Sequence, residues 1–251
     1  MSVIVFDNVS KKFSRHAGQM LLRNHLTRFL TRQKEHAFYA LKHVSFSVER
    51  GESLAVIGSN GAGKSTLLGL VAGVSKPNEG VVTVNGRLAA LLELGSGFHP
   101  SLTGRENVRL NAALLGLSRK QTAAAFDAIV DFSGIGDFID EPLRTYSTGM
   151  VMRLAFSVAI NMAPEILLVD EVLAVGDAAF QEKCFERLRH FRHAGRTLVC
   201  VSHSNAMVRE MCDRAIWLDH GELMMVGRVG DVIDAYAGYN STAVAAPPGP
   251  A

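Results

Sequence analysis

The chain has 251 residues, 48% of them hydrophobic, with 26 Lys plus Arg against 24 Asp plus Glu and a formal net charge of +2. That length and apolar content suit one α/β domain with a full buried core and a helical insertion, and they exclude a disordered chain. The near balance of charge, without any long run of one sign, gives no electrostatic case for nucleic acid as a partner.

Met1 to Phe6 alternates like a strand and lacks the basic patch and hydrophobic region of a signal peptide. Val3–Phe6, Val44–Val48 and Val81–Val84 read as strands of an edge sheet, whereas Leu54–Ile57, Ile166–Val169, Thr197–Ser202 and Ala215–Leu218 are short apolar runs suited to core strands. Between the first two strands, Ser14 to Ala37 places Leu22, Leu26, Phe29 and Leu30 at helical spacing. Arg15, Arg23, Arg28, Arg32 and Lys34 there oppose the single acid Glu35. This is either an amphipathic basic element for a membrane partner or anionic headgroups, or an ordinary surface helix.

Further along, Thr103 with Glu106 and Ser118 with Gln121 have capping-box spacing, which predicts two helix starts in an inserted helical segment of residues 101–144. The longest apolar stretch, Leu154 to Val169, is broken by Asn161, Pro164 and Glu165, so no membrane-crossing helix is expected. Cys184, Cys200 and Cys212 are too few and too scattered for a disulfide framework or a zinc site and are expected to be buried thiols. The tail from Ala246 to Ala251, rich in proline, is expected to fray.

Chemistry enters at residues 58–66, Gly58-Ser59-Asn60-Gly61-Ala62-Gly63-Lys64-Ser65-Thr66, which form a complete phosphate-binding loop between a strand-like run, Ser53–Ile57, and a helix-like run, Leu67–Ala72. The glycines let backbone N–H groups close around phosphate oxygens, and the following helix turns its positive dipole end to the same anion. Lys64 would reach the β- and γ-phosphates, and the Ser65 hydroxyl would ligate a bridging Mg²⁺. A second element fits the first: Ile166-Leu167-Leu168-Val169 is a buried-strand pattern ending in Asp170 and Glu171. Asp170 would hold the magnesium through water, and Glu171 is the candidate base for the water attacking the γ-phosphate.

Tyr146-Ser147-Thr148-Gly149-Met150, followed by Val151 to Ser157, resembles the signature loop and helix of the ATP-binding cassette (ABC) ATPases. The common form there is Leu-Ser-Gly-Gly-Gln; this chain keeps Ser147 and Gly149 and replaces the other three residues. Val175-Gly176-Asp177 falls where the family places its D-loop, and His203, in Val201-Ser202-His203, where it has a switch histidine. The resemblance covers residues 2–238 and implies a P-loop ABC cassette, with a mostly parallel core sheet, an antiparallel edge sheet and an inserted helical subdomain. It places the ATP-binding domain at residues 1–240, the helical and signature subdomain at about 101–160, and a flexible tail at 241–251. In place of the family's usual glutamine after the phosphate loop the chain has Glu93, which still offers an oxygen to the metal and water but adds negative charge. For stacking on adenine the resemblance favours Phe13, with Tyr39 as an alternative.

Leu92 to Pro100, Thr103 to Asn107, Tyr146 to Met150 and Asp170 to Asp177 together resemble the ATPases of bacterial polysaccharide exporters, in the short form without a carboxy-terminal carbohydrate-binding domain. This resemblance implies ATP hydrolysis with Mg²⁺, coupled to export of a lipid-linked polysaccharide at the cytoplasmic face of the inner membrane. It also implies a head-to-tail homodimer, in which Ser147 and Gly149 of one copy close on ATP held by the other, docked on integral membrane permease subunits. Glu171 and His203 are the implied catalytic pair. A soluble ABC ATPase, and an ATP-binding regulatory subunit with negligible hydrolysis, are the alternatives.

Overall fold

The computed structural model describes residues 1–14, 37–91, 95, 97–170, 176–202 and 204–245. The basic segment of residues 15–36 and the tail of residues 246–251 lie outside this set. So do Glu93, Glu171 and His203.

Two sheets organise the chain. The smaller is antiparallel: β1 (Ser2–Ser14) lies between β2 (Ala37–Glu49) and β4 (Glu79–Val84). All three expected edge strands are present, and the first two are longer than their apolar cores. The larger sheet has the order β5 (Leu88–Ala90), β6 (Ile166–Val169), β7 (Thr197–Val201), β3 (Ser53–Ile57), β8 (Arg214–Asp219), β9 (Glu222–Arg228). Its pairings are parallel except that of β8 with β9. Every residue of β3, β6 and β7 is buried, which accounts for their continuous apolar sequence.

β5 and β9 were not expected. β5 has three residues, too few for a pattern. β9 contains the apolar run Leu223-Met224-Met225-Val226, as long as that of β6, but alternates between exposed and half-buried positions as an edge strand. It is joined to β8 through His220 and Gly221, both at positive φ, in a tight hairpin that suits the twist of the strands.

α1 (Lys64–Val71) follows β3 directly. The inserted segment forms α2 (Gly104–Leu114), α3 (Arg119–Ser133), short 3₁₀ turns at Gly136–Phe138 and Leu143–Thr145, and α4 (Thr148–Asn161). Both capping boxes are present. The Thr103 side chain accepts from the Glu106 N–H while Glu106 accepts from the Thr103 N–H, and Ser118 with Gln121 repeats the arrangement. The approach to α2 is held by the fully buried Asn107. Its amide donates to the carbonyls of His99, Leu102 and Thr103 and accepts from the His99 N–H at 2.7 Å.

This helical part has its own core, including Val108, Ile129, Leu143 and Leu154. α4 belongs to two cores at once: Leu154 and Val158 pack among the inserted helices, whereas Phe156, Ala159 and Ile160 pack against the parallel sheet. α5 (Ala178–His193), α6 (Asn205–Met211) and α7 (Val229–Ala245) complete the fold. α7 runs past residue 240, where the tail was expected to begin, because no proline interrupts Ser241 to Ala245. Cys184, Cys200 and Cys212 are free and buried. No helix among the described residues is long and apolar enough to cross a membrane.

Candidate nucleotide site

The parallel pairing of β6 with β7 and of β7 with β3 sets the carboxyl ends of these strands side by side. Ligands of open α/β sheets bind at that edge. The phosphate loop leaves β3, Asp170 follows β6, and Val201 ends β7. They meet on one cavity of about 490 Å³ that is also lined by Phe13, Phe38, Ala40, Asn60, Gly61, Gly63, Lys64, Ser65 and Thr66.

The loop's backbone explains its glycines. Gly58 and Gly63 have φ of 148° and 108°, and a Cβ on either would collide with a carbonyl oxygen, of Leu218 and Ala40 respectively. Gly63 is the N-cap of α1, so the first N–H groups of that helix open into the cavity without a capping side chain. Orphan donors and the positive dipole end together favour an anion. Lys64 is only 8% exposed, and its ammonium donates to the carbonyls of Gly58 at 2.8 Å and Ser59 at 2.9 Å. Those bonds hold its charge along the loop, on the same cavity as the Ser65 hydroxyl and the Asp170 carboxylate.

The residues present fit a triphosphate and a magnesium ion: a cradle that admits no side chain, a cation, and two hard oxygen donors. Among the described residues no group of three or more His, Cys, Asp or Glu could hold a metal alone. Phosphate oxygens and water would therefore complete the coordination, as is usual for Mg²⁺.

At the other end of the cavity Phe13 and Phe38 stand opposite one another on β1 and β2, with ring centroids 6.0 Å apart. Because side chains alternate along a strand, Lys12 and Tyr39, the next pair in register, point to the other face. There the Lys12 ammonium lies 4.7 Å from the Tyr39 ring centroid and 2.7 Å from Glu79 Oε1. Tyr39 does not line the cavity; Phe38, its neighbour, does. The alternation Phe38–Ala40 carried that signal, but residues 15–36 separate the two strands in sequence and hide the register.

Ser147 and Gly149 are not on this cavity. Ser147 is the N-cap of α4, and its hydroxyl accepts from the Met150 N–H at 3.2 Å. Tyr146, in place of the family's leucine, is 9% exposed and donates to the Phe138 carbonyl at 2.6 Å. Burial, with Asp140 and Glu141 nearby, raises its phenol above the ordinary range, so it stays a donor. Downstream, Asp177 caps α5 by accepting from the Phe180 N–H at 2.8 Å. Ser147 and Gly149 stand at the start of α4, whereas the phosphate loop leads into α1.

An ATP-binding cassette is thus defined by fold and site together, and the sequence profile described as ABC transporter matches residues 41–174. The chain belongs to the ABC transporter family, as one of its ATPases. It is 50% identical over 238 residues to the O-antigen export system ATP-binding protein RfbB of Klebsiella pneumoniae, covering 93% of this chain and 97% of that protein. It is 38% identical to the teichoic acids export ATP-binding protein TagH of Bacillus cereus, covering 94% of this chain and 42% of that protein. Among solved structures it resembles an ATP-binding subunit of an ABC transporter, with a TM-score of 0.75 at 22% identity and 94% coverage of both chains. It also resembles a dimeric cassette bound to ADP and Pi in a post-hydrolysis state, with a TM-score of 0.71 at 22% identity, covering 90% of this chain and 98% of that one.

Proposed function

We propose that this chain is the ATP-hydrolysing subunit of an ABC transporter that exports a lipid-linked polysaccharide from the cytoplasmic face of a bacterial inner membrane. The convergence of Lys64, Ser65 and Asp170 on one cavity supports the ATPase. The 50% identity along nearly the whole of an O-antigen export protein supports the cargo class.

In this reading the N–H groups of residues 58–66 and Lys64 bind the phosphates, and Phe13 with Phe38 holds the adenine. Ser65 and Asp170 would hold Mg²⁺, whose charge would supply electrostatic stabilisation to the phosphate oxygens. Glu171 takes the proton of the attacking water and His203 steadies the γ-phosphate edge, with Glu93 as a further oxygen donor to metal and water. These three lie outside the described residues and are assigned from sequence. Two copies associate head to tail, so that Ser147 and the backbone at Gly149 of one meet the γ-phosphate held by the other. Hydrolysis then releases the dimer, a two-state element that integral permease subunits can follow. The permease contact is assigned to the helical part, residues 101–144, and the region after Glu93.

The test is steady-state ATPase activity of the wild type beside Glu171→Gln, alone and after reconstitution with its membrane subunit. Activity that rises on reconstitution and disappears in the variant is expected. Full activity that ignores the membrane subunit would point instead to a soluble ABC ATPase.

A further inference from the structure

Arg153 lies on α4 less than two turns from Ser147, is half-buried, and forms no ion pair among the described residues. Such a cation needs other partners, and it has two on different elements. Its Nε donates to the Ser133 carbonyl at 2.9 Å, at the last residue of α3. That helix ends with Gly134 in the left-handed conformation at φ 63°, whose N–H satisfies only the Val130 carbonyl. The guanidinium therefore sits where unsatisfied carbonyls and the negative end of the helix dipole favour a cation. A Cβ on Gly134 would lie 2.7 Å from Arg153 Nη2, which places the guanidinium against this turn.

The other partner is Phe180, in the first turn of α5. Arg153 Cζ lies 4.9 Å from the centre of that ring. Phe180 is 2% exposed and packs edge-on against Phe132 of α3 and Phe156 of α4, with centroids 5.6 and 6.2 Å away. Its backbone N–H is bonded by Asp177, and a Cβ on Gly176 would meet both its ring and the Arg153 stem. One side chain thus connects the helix that begins at Ser147, the end of an inserted helix, and the Gly176-Asp177 turn.

We propose that Arg153 is a positioning residue that makes the Ser147 end of α4 and the Gly176-Asp177 turn move as one body. In the head-to-tail dimer, on which this inference rests, both segments are presented to the partner copy together. A tether of this kind governs the closed dimer and turnover without touching the ATP that the same copy binds on Lys64.

The test uses the full chain. Turnover and ATP affinity are measured in the wild-type background, and ATP-dependent dimerisation by light scattering in a Glu171→Gln parent. Arg153→Met is expected to lower kcat and the dimer association constant by on the order of tenfold, less than the roughly hundredfold that a 1 Å misplacement of reacting groups can cost in rate. Affinity of the monomer for a fluorescent ATP analogue should stay unchanged. Arg153→Lys, which keeps the charge but not the fork, should recover part of the loss. If Arg153→Met does not fold, Phe180→Leu, which removes the ring and leaves the Ser133 bond, carries the same measurements. A lowered Tm with dimerisation and kcat intact would overturn the inference alone. A parent that stays monomeric with saturating ATP would overturn the head-to-tail reading and the inference with it.

Discussion

Phe13 and Phe38 face one another across β1 and β2 on the wall of the nucleotide cavity, while Tyr39, one residue along, points away to Lys12. Base stacking needs a flat apolar face with access to the ligand, and both phenylalanines are more than 40% exposed. Phe13→Ala and Phe38→Ala are each expected to weaken ATP binding by about 1–3 kcal/mol, the usual value of a base–aromatic stack. Tyr39→Ala should leave it unchanged. Titration with ATP by calorimetry decides, and a loss at Tyr39 equal to that at Phe13 would return the tyrosine to the site.

Lys64 tests the phosphate cradle. Its ammonium is already nearly enclosed by the loop carbonyls, so the charge is placed before ligand arrives. Lys64→Met removes a charge-assisted donor worth about 1.5–3 kcal/mol and should lower ATP affinity by roughly tenfold to a hundredfold. AMP, which lacks the β- and γ-phosphates, should lose little. Comparing the two nucleotides against wild type and variant separates a phosphate contact from general damage to the loop.

The phosphate loop, Asp170 and the two capping boxes were legible in sequence because each is a contiguous motif whose local geometry fixes its chemistry. The core strands were legible because burial on both faces leaves unbroken apolar runs. Phe38, Asn107 and Arg153 were not singled out, since their roles come from partners on other elements: Phe13 across a sheet pair, three carbonyls of a preceding loop, and the far end of α3. β9 was missed for a related reason. Its apolar run, Leu223-Met224-Met225-Val226, is visible in the sequence, but its place as an edge strand comes from pairing with β8.

Tyr146 connects the Ser147 loop to the 3₁₀ turn at Gly136–Phe138 through its bond to the Phe138 carbonyl. Gly104 makes room for it, because a Cβ there would collide with the phenol oxygen. Tyr146→Phe keeps the ring and removes one of two donors to that carbonyl, which still accepts from the Glu141 N–H, at a cost of about 0.5–1.5 kcal/mol. In a chain of this size the Tm should fall by about 2–4 °C for each of those kcal/mol. Thermal denaturation followed by circular dichroism measures it, and an unchanged Tm would mean that water replaces the hydroxyl without loss.

The pH dependence of stability has two arms. On the acid side, Arg105 beside Asp140 and Arg50 beside Glu165 hold those carboxyls below their ordinary values, as do Lys12 beside Glu79 and Lys42 beside Glu222. The unfolded chain then binds more protons than the native one, so stability falls as pH drops below about 4.5, the upper end of the ordinary carboxyl range. These pairs are exposed, and added salt should flatten this arm. On the alkaline side, burial pushes the Cys184 thiol up to about 12, against the pull of Arg153. The native state there keeps a proton that the unfolded state loses, so stability declines as pH rises from the ordinary thiol range towards 12. The same burial protects the sulfur: at pH 8 iodoacetamide should leave Cys184 unmodified in the folded protein and alkylate it in urea. Mass spectrometry of the labelled peptide reads the result. Rapid labelling under native conditions would show that the α5 face bearing Cys184 opens far more readily than its packing against the parallel sheet implies.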